Sequence, residues 1–294
     1  MEEEKLPTYG GQAVIEGVMM RGSQSVAIAM RAPNNEIVVH TEPLATIYRS
    51  KILKVPFVRG VIGLWDALGL GMRALTISAN MQSGEDEKLE GLSLYLMLGF
   101  SLAVGIGVFF LAPAGVGWLS EHFLGLNSWG SNLLEGLLRL GMLVGYIWVV
   151  GRMAEIRRVF SYHGAEHKTI NAFEAGADLT PENVARYPLE HTRCGTAFLL
   201  TLVLLSVVFF SLLGPLPVGW RLLSRLIMLP VLAGVAYEYI RWTARHLDSK
   251  LVQWMIKPNL ALQRLTTCEP TPDMLEVAIA AFKAMRSRES GLSL

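Results

Sequence analysis

Two stretches of this chain, Leu92 to Leu119 and Thr196 to Trp220, contain no charged residue. A helix needs about 20 apolar residues to cross a hydrocarbon core of about 30 Å, and a spanning segment must satisfy its own backbone hydrogen bonds. Both stretches therefore read as membrane helices. Two further apolar stretches carry some charge: Leu133 to Gly151 holds Glu135 and Arg139, and Leu222 to Ile240 holds Arg225 and Glu238. They read as partners of the first two. A charged fraction of 17% and a mean hydropathy of +0.39 over 294 residues exclude an ordinary soluble domain. The expected fold is mainly α: a polytopic membrane protein with about four transmembrane helices, a small N-terminal β-rich cytoplasmic lobe and an interfacial helix.

Basic residues orient the bundle. Arg152, Arg157, Arg158, Lys168, Arg186 and Arg193 lie between the second and third spans, and Arg241, Arg245, Lys250, Lys257 and Arg264 follow the fourth. The connections 120–132 and 214–220 have none. Cytoplasmic loops hold the excess of Lys and Arg, so both termini and the central loop are expected in the cytoplasm. Arg221 and Arg225, at the outer end of the fourth span, run against that rule. The start, Met1 to Lys5, is acidic and polar and leads into no short apolar stretch with a cleavage site, so no cleavable signal peptide is expected. Cys194 and Cys268 would face a reducing compartment, where no disulfide is expected.

Four regions follow. Residues 1–55 form the β-rich lobe, with strands expected at Gln12–Met20, Ser25–Arg31 and Glu36–His40 and a turn at Pro33-Asn34-Asn35-Glu36. Residues 56–90 hold an apolar helix and a linker. Between Pro56 and Ser78 the only charges are Arg59, Asp66 and Arg73, one narrow polar stripe on an apolar cylinder. That suits a helix at the interface or docked on the bundle; the alternative is a fifth span. Residues 91–245 are the four-span domain, with the central loop 152–195. Residues 246–294 form a helical tail in which Leu275, Ile279, Phe282 and Met285 make one apolar stripe.

The chemistry concentrates in the central loop. His163-Gly164-Ala165-Glu166-His167 spells H-x-x-E-H. On a helix, His163 and His167 stand at i and i+4 on one face, where both rings reach one ion, and the adjoining Glu166 matches the carboxylate general base of the inverted zinc-hydrolase motif. Glu190, His191 and Cys194 add a second cluster, so His163, His167, His191 and Cys194 are candidate ligands for a divalent metal, zinc by donor type. Glu190, Glu238 and His246 are candidates for a further ligand or for supporting contacts. The bland reading of the histidine pair is a solvated helix face.

The stretch Gly10-Gly11-Gln12-Ala13-Val14-Ile15-Glu16-Gly17-Val18-Met19-Met20-Arg21-Gly22, with Tyr162 to Lys168 and His191 to Gly195, resembles the YqhQ-like bacterial membrane proteins. That family is described as a domain of unknown function or as predicted metal-dependent enzymes. The resemblance covers nearly the whole chain. It implies a bacterial multi-pass inner-membrane protein, adds Glu16 and Arg21 as candidate functional residues, and supplies no substrate.

Two functional classes compete. In one, the protein is a metal-dependent hydrolase acting on a membrane-associated substrate, with Glu166 as the base. In the other, the same ligands close a structural or metal-sensing site. A transporter-like homo-oligomer is a third and weaker class. The bilayer is the expected partner. Nucleic acid is not, since there is no basic array with interleaved aromatics and the net charge is +1.

Overall fold

The computed structural model describes residues 9–44, 55–83, 91–213 and 216–291. Four strands, β1 (Gly10–Val14), β2 (Gly17–Arg21), β3 (Ser25–Arg31) and β4 (Ile37–Pro43), form an antiparallel sheet in the order β1-β2-β3-β4. The single strand expected over Gln12–Met20 is instead a hairpin. Val14 pairs with Gly17 across a two-residue turn in which Glu16 takes φ of 51°. Glutamate rarely adopts that region, and no Asn-Gly or Asp-Gly pair advertises the reversal. Gly17 serves a different purpose: a Cβ there would come within 2.9 Å of the Met30 Cα on β3. The turn before β4 falls where expected, with Asn35 at φ 69°.

The sheet is covered on both faces. One packs through Val18, Met20, Ala27 and Ala29 on helices α5 (Ala154–Glu174) and α10 (Pro272–Ser290). The expected stripe of α10, Leu275, Ile279, Phe282 and Met285, is buried in that core. The other face packs on the later turns of α1 (Val58–Gln82) through Ala74, Leu70, Ile77 and Met81. The first turns of α1 dock elsewhere, on α8 (Val218–Arg245), where Gly60 and Gly234 allow close approach and Glu238 accepts two bonds from Arg59, at 2.7 and 2.5 Å. Thus α1 ties the sheet to the bundle. The side chain of Asp66 lies outside the described residues.

Among the described residues, five helices are long and apolar enough to cross a membrane: α1; the continuous helix formed by α2 (Gly91–Ile106), a π-helical turn (Gly107–Leu111) and α3 (Ala112–Leu124); α4 (Ser128–Val150); α7 (Gly195–Leu212); and α8. Four coincide with the expected spans and the fifth is the helix after Pro56. A mainly α membrane protein with a small β lobe is the result. Between α4 and α5 the helix is interrupted at Gly151–Met153.

The charges inside the bundle neutralise one another. Glu135 and Arg139 on α4 and Arg221 and Arg225 on α8 are all nearly fully buried. The Glu135 carboxylate accepts from Arg139 at 2.8 Å, Arg225 at 2.7 Å and Arg221 at 3.3 Å. Arg139 Nε also donates to the Phe109 carbonyl, inside the π-helical turn, at 3.0 Å. Arg221 and Arg225, which run against the basic-residue rule, are therefore held internally rather than facing water. Removing one partner of a buried ion pair costs about 3–5 kcal/mol, because a buried charge is left without its counter-charge. Glu135→Ala should lower the thermal stability of the purified protein by that order; an unchanged unfolding midpoint would mean that water already serves these arginines.

Candidate metal centre

The site forms where α5, the entry to α7 and the end of α9 (Lys250–Thr266) meet. About three and two turns before the end of α5, His163 and His167 stand on one face, with ring centroids 4.3 Å apart. Thr180 caps the short helix α6 (Pro181–Val184), as its sequence suggests, and the chain then returns to Cys194, the N-cap of α7. One ligand atom each from His163, His167 and Cys194 lie within 4.8 Å of one another. His163 Nε2 stands 3.2 Å from the Cys194 sulfur. In a tetrahedral zinc site a nitrogen and a sulfur ligand would be about 3.5 Å apart, given metal–ligand bonds of about 2.0 and 2.3 Å.

Both rings are held from behind. His163 Nδ1 lies 2.9 Å from the Thr266 carbonyl oxygen and His167 Nδ1 lies 2.5 Å from that of Leu189. A carbonyl only accepts, so each Nδ1 carries the proton and each Nε2 presents its lone pair to the shared point. This is the outer contact that metal-binding histidines generally use. His167 is 1% exposed, and its Nε2 has no hydrogen-bond partner. An orphaned buried acceptor beside a second imidazole and a thiol fits a cation.

Glu166 lies beside both rings. Its Oε2 lies 3.9 Å from Nε2 of both His163 and His167. Burial pushes its carboxyl up to about 7, while the backbone N–H of Gly11 pulls the other way. Gly11 belongs to β1, and a Cβ there would come within 2.6 Å of the Met19 carbonyl and 2.8 Å of the Glu166 Cγ. Gly11 thus lets β1 lie against α5 at Glu166.

The other candidates sit elsewhere. His191 borders the cluster, 5.7 Å from His167 between ring centroids, with its Nε2 3.7 Å from Glu174. Burial lowers the pKa of its imidazole. Gln263 fixes its backbone with two bonds of 2.9 Å. Glu190 bonds to Arg264 at 2.9 Å, and Glu238 to Arg59 of α1 rather than to Arg241. His246 is exposed and pairs with the Trp242 carbonyl. Glu16 holds Arg158 through two bonds, at 2.6 and 2.5 Å, and accepts from the Tyr162 hydroxyl at 3.3 Å. The Arg158 guanidinium holds its carboxyl below the usual range. Arg21 lies in β2, opposite Gly10 and Val26. Sequence reasoning missed Glu174, Gln263 and the Leu189 and Thr266 carbonyls. Backbone acceptors leave no mark on residue identity, and α9 has no charge-free stretch.

Residues 55–288 match the family described as Protein of unknown function (DUF1385). The chain belongs to this family. It is also 34% identical over 306 residues to Uncharacterized protein YqhQ of Bacillus subtilis (strain 168), covering 99% of this chain and 96% of that protein. The resemblance drawn from the Gly10–Gly22 stretch and the two histidine segments is thereby confirmed. No solved structure matches the chain.

Gly164, between the two histidines, offers a test of the packing. In a helix interior Ala is normally favoured over Gly by about 0.5–1 kcal/mol. Here a Cβ would overlap the Cys268 carbonyl oxygen and come within 2.8 Å of Leu189. Gly164→Ala should therefore destabilise, by about 1–3 kcal/mol as for other overpacked sites. A raised melting temperature would contradict the close approach of the Cys268 segment to α5.

Proposed function

We propose that this family member is a metal-dependent hydrolase of the bacterial inner membrane, with its site at the cytoplasmic face. The observation that carries the reading is the convergence of His163 Nε2, His167 Nε2 and Cys194 Sγ, with the His167 nitrogen buried and without a partner. Donors of this type suit zinc. When bound, such an ion supplies electrostatic activation of water, lowering its pKa toward about 7.

The residues would divide the work as follows. His163, His167 and Cys194 hold the ion. The Thr266 and Leu189 carbonyls keep both imidazoles in the binding tautomer. Glu166, 3.9 Å from each Nε2, takes up a proton from water at its carboxylate and returns it to the leaving group. Its low exposure keeps bulk water from competing. The substrate would be membrane-associated, since Cys194 opens α7 directly at the end of the bundle. The excess of basic residues in the central loop supports a cytoplasmic position for that end.

A second reading has its own observation. His191 is 5% exposed, its Nε2 also lacks a hydrogen-bond partner, and its ring neighbours His167. A fourth ligand of this kind would close the site and make it structural or metal-sensing.

Two measurements separate the readings. Elemental analysis should find stoichiometric metal in the wild type and none in His163→Ala; an unchanged content in the variant would end both. Glu166→Gln should keep the metal yet lose function in a deletion strain, with a rate loss of about 10²–10⁴. Full complementation by that variant would leave only the structural site. For orientation, a cysteine placed at Ser128 should be labelled from outside and one at Ala177 only from the cytoplasm.

A further inference from the structure

We infer that the outer face of α9 is a seat for anionic phospholipids, with Lys250 and Lys257 meeting the headgroup phosphates and Trp254 and Leu251 set among the upper acyl chains. The inference does not depend on the hydrolase reading above.

One side of α9 is fixed to the membrane helices, and there Val252, Ile256, Asn259, Leu262 and Gln263 are buried. Asn259 Nδ2 donates to Thr201 Oγ1 of α7 at 3.2 Å, and the Tyr239 hydroxyl of α8 donates to the Met255 carbonyl at 3.4 Å. Leu262 shares a core with Ile147 of α4 and Leu200 of α7. These contacts set the depth of α9. The 18 residues of α7 measure about 27 Å, less than a hydrocarbon core of about 30 Å, so as a span α7 lies wholly within the bilayer. Thr201 stands about 9 Å in from the start of that helix. A helix bonded to Thr201 therefore lies at the level of headgroups and upper acyl chains rather than in bulk water.

The other side carries a different pattern. Lys250, Trp254, Lys257, Ala261 and Arg264 follow one another at helical spacing and are all exposed. Trp254 is 68% exposed and Leu251 beside it 63%. No Asp or Glu occurs between Lys250 and Thr266. Arg264 bonds to Glu190, whereas no hydrogen bond or ion pair among the described residues occupies the ammonium group of Lys250 or Lys257. Trp148 near the end of α4 and Trp242 near the end of α8 are exposed at this same end of the bundle. Tryptophans so placed mark the boundary between membrane and water.

A helix whose free face combines basic residues with large apolar side chains lies in the plane of the interface and draws affinity from both. Charge then selects the lipid. Two unpaired ammonium groups, with no carboxylate on their helix, favour phosphates whose charge no choline or ethanolamine cancels. An acidic water-soluble partner offers the charge but no apolar medium for Trp254 and Leu251 at that depth. The last turns of α9 carry the Thr266 carbonyl that orients His163 and the Gln263 amide that holds the His191 backbone, so the lipid seat and the candidate metal centre share one helix.

The test uses the full-length protein in nanodiscs of phosphatidylcholine mixed with phosphatidylglycerol, with tryptophan-quenching bromines on the acyl chains of one lipid or the other. The difference between wild type and Trp254→Phe isolates the fluorescence of Trp254. Both brominated lipids should quench it, and brominated phosphatidylglycerol more strongly, because that lipid is enriched at α9. Lys250→Gln and Lys257→Gln should each lower the enrichment about fivefold, the contribution of one basic residue at an anionic surface. The double variant should show no preference while brominated phosphatidylcholine still quenches. Neither lysine has a partner to lose, so the fold should survive, as unchanged quenching of the other tryptophans would verify. Equal quenching of the wild type by the two lipids, or a preference that persists in the double variant, would overturn the inference. So would a Trp254 that neither lipid quenches: access by aqueous acrylamide would then place α9 in water, and protection from acrylamide would assign the face to another protein or to a second copy of the chain.

Discussion

Two backbone carbonyl oxygens decide what the histidine pair can do. Had His163 and His167 been free to turn, either could have spent its lone pair on water or on a helix neighbour. The Thr266 and Leu189 carbonyls accept from Nδ1 of each ring and leave both Nε2 atoms facing the Cys194 sulfur. Burial then strengthens the constraint, because an unpaired acceptor in a dry pocket is unfavourable until something positive fills it. The orientation of the two rings is therefore supplied by backbone atoms outside α5.

Much of the membrane architecture was legible beforehand. Charge-free length is a direct physical requirement of crossing hydrocarbon, and it located α2, α3 and α7 without ambiguity. The C-terminal stripe was equally open to reading, since periodicity is local. The hairpin inside Gly10–Arg21 was not, because Glu16 takes a conformation its side chain disfavours and no glycine marks the turn. At the site, His163, Glu166, His167 and Cys194 were legible from donor type and spacing. The roles of Gly11, Glu174 and Gln263 were not, since each depends on a contact between segments far apart in the chain.

The polar residues of the spans show a different kind of concealment. Glu135, Arg139, Arg221 and Arg225 look like blemishes on apolar helices when each helix is read alone. Together they form one buried knot across α4 and α8, anchored to the carbonyl of a π-helical turn. A count of basic residues for topology is sound only for those that remain outside such a knot. Similarly, Arg59 and Glu238 read as stray charges but clamp α1 to α8, so the sheet is carried on the membrane helices rather than tethered to them.

The order of the ligand-bearing segments along the chain also sets an order of assembly. His163 and His167 emerge first, Cys194 just before α7, and the Thr266 carbonyl only after the α7–α8 hairpin and α9 have been made. Until that hairpin is seated and the chain has come back, His163 has no orienting acceptor and the pair cannot present both lone pairs. A nascent or misinserted chain thus carries the sequence motif without the arrangement of donors around Cys194, and that arrangement becomes a report that insertion is complete.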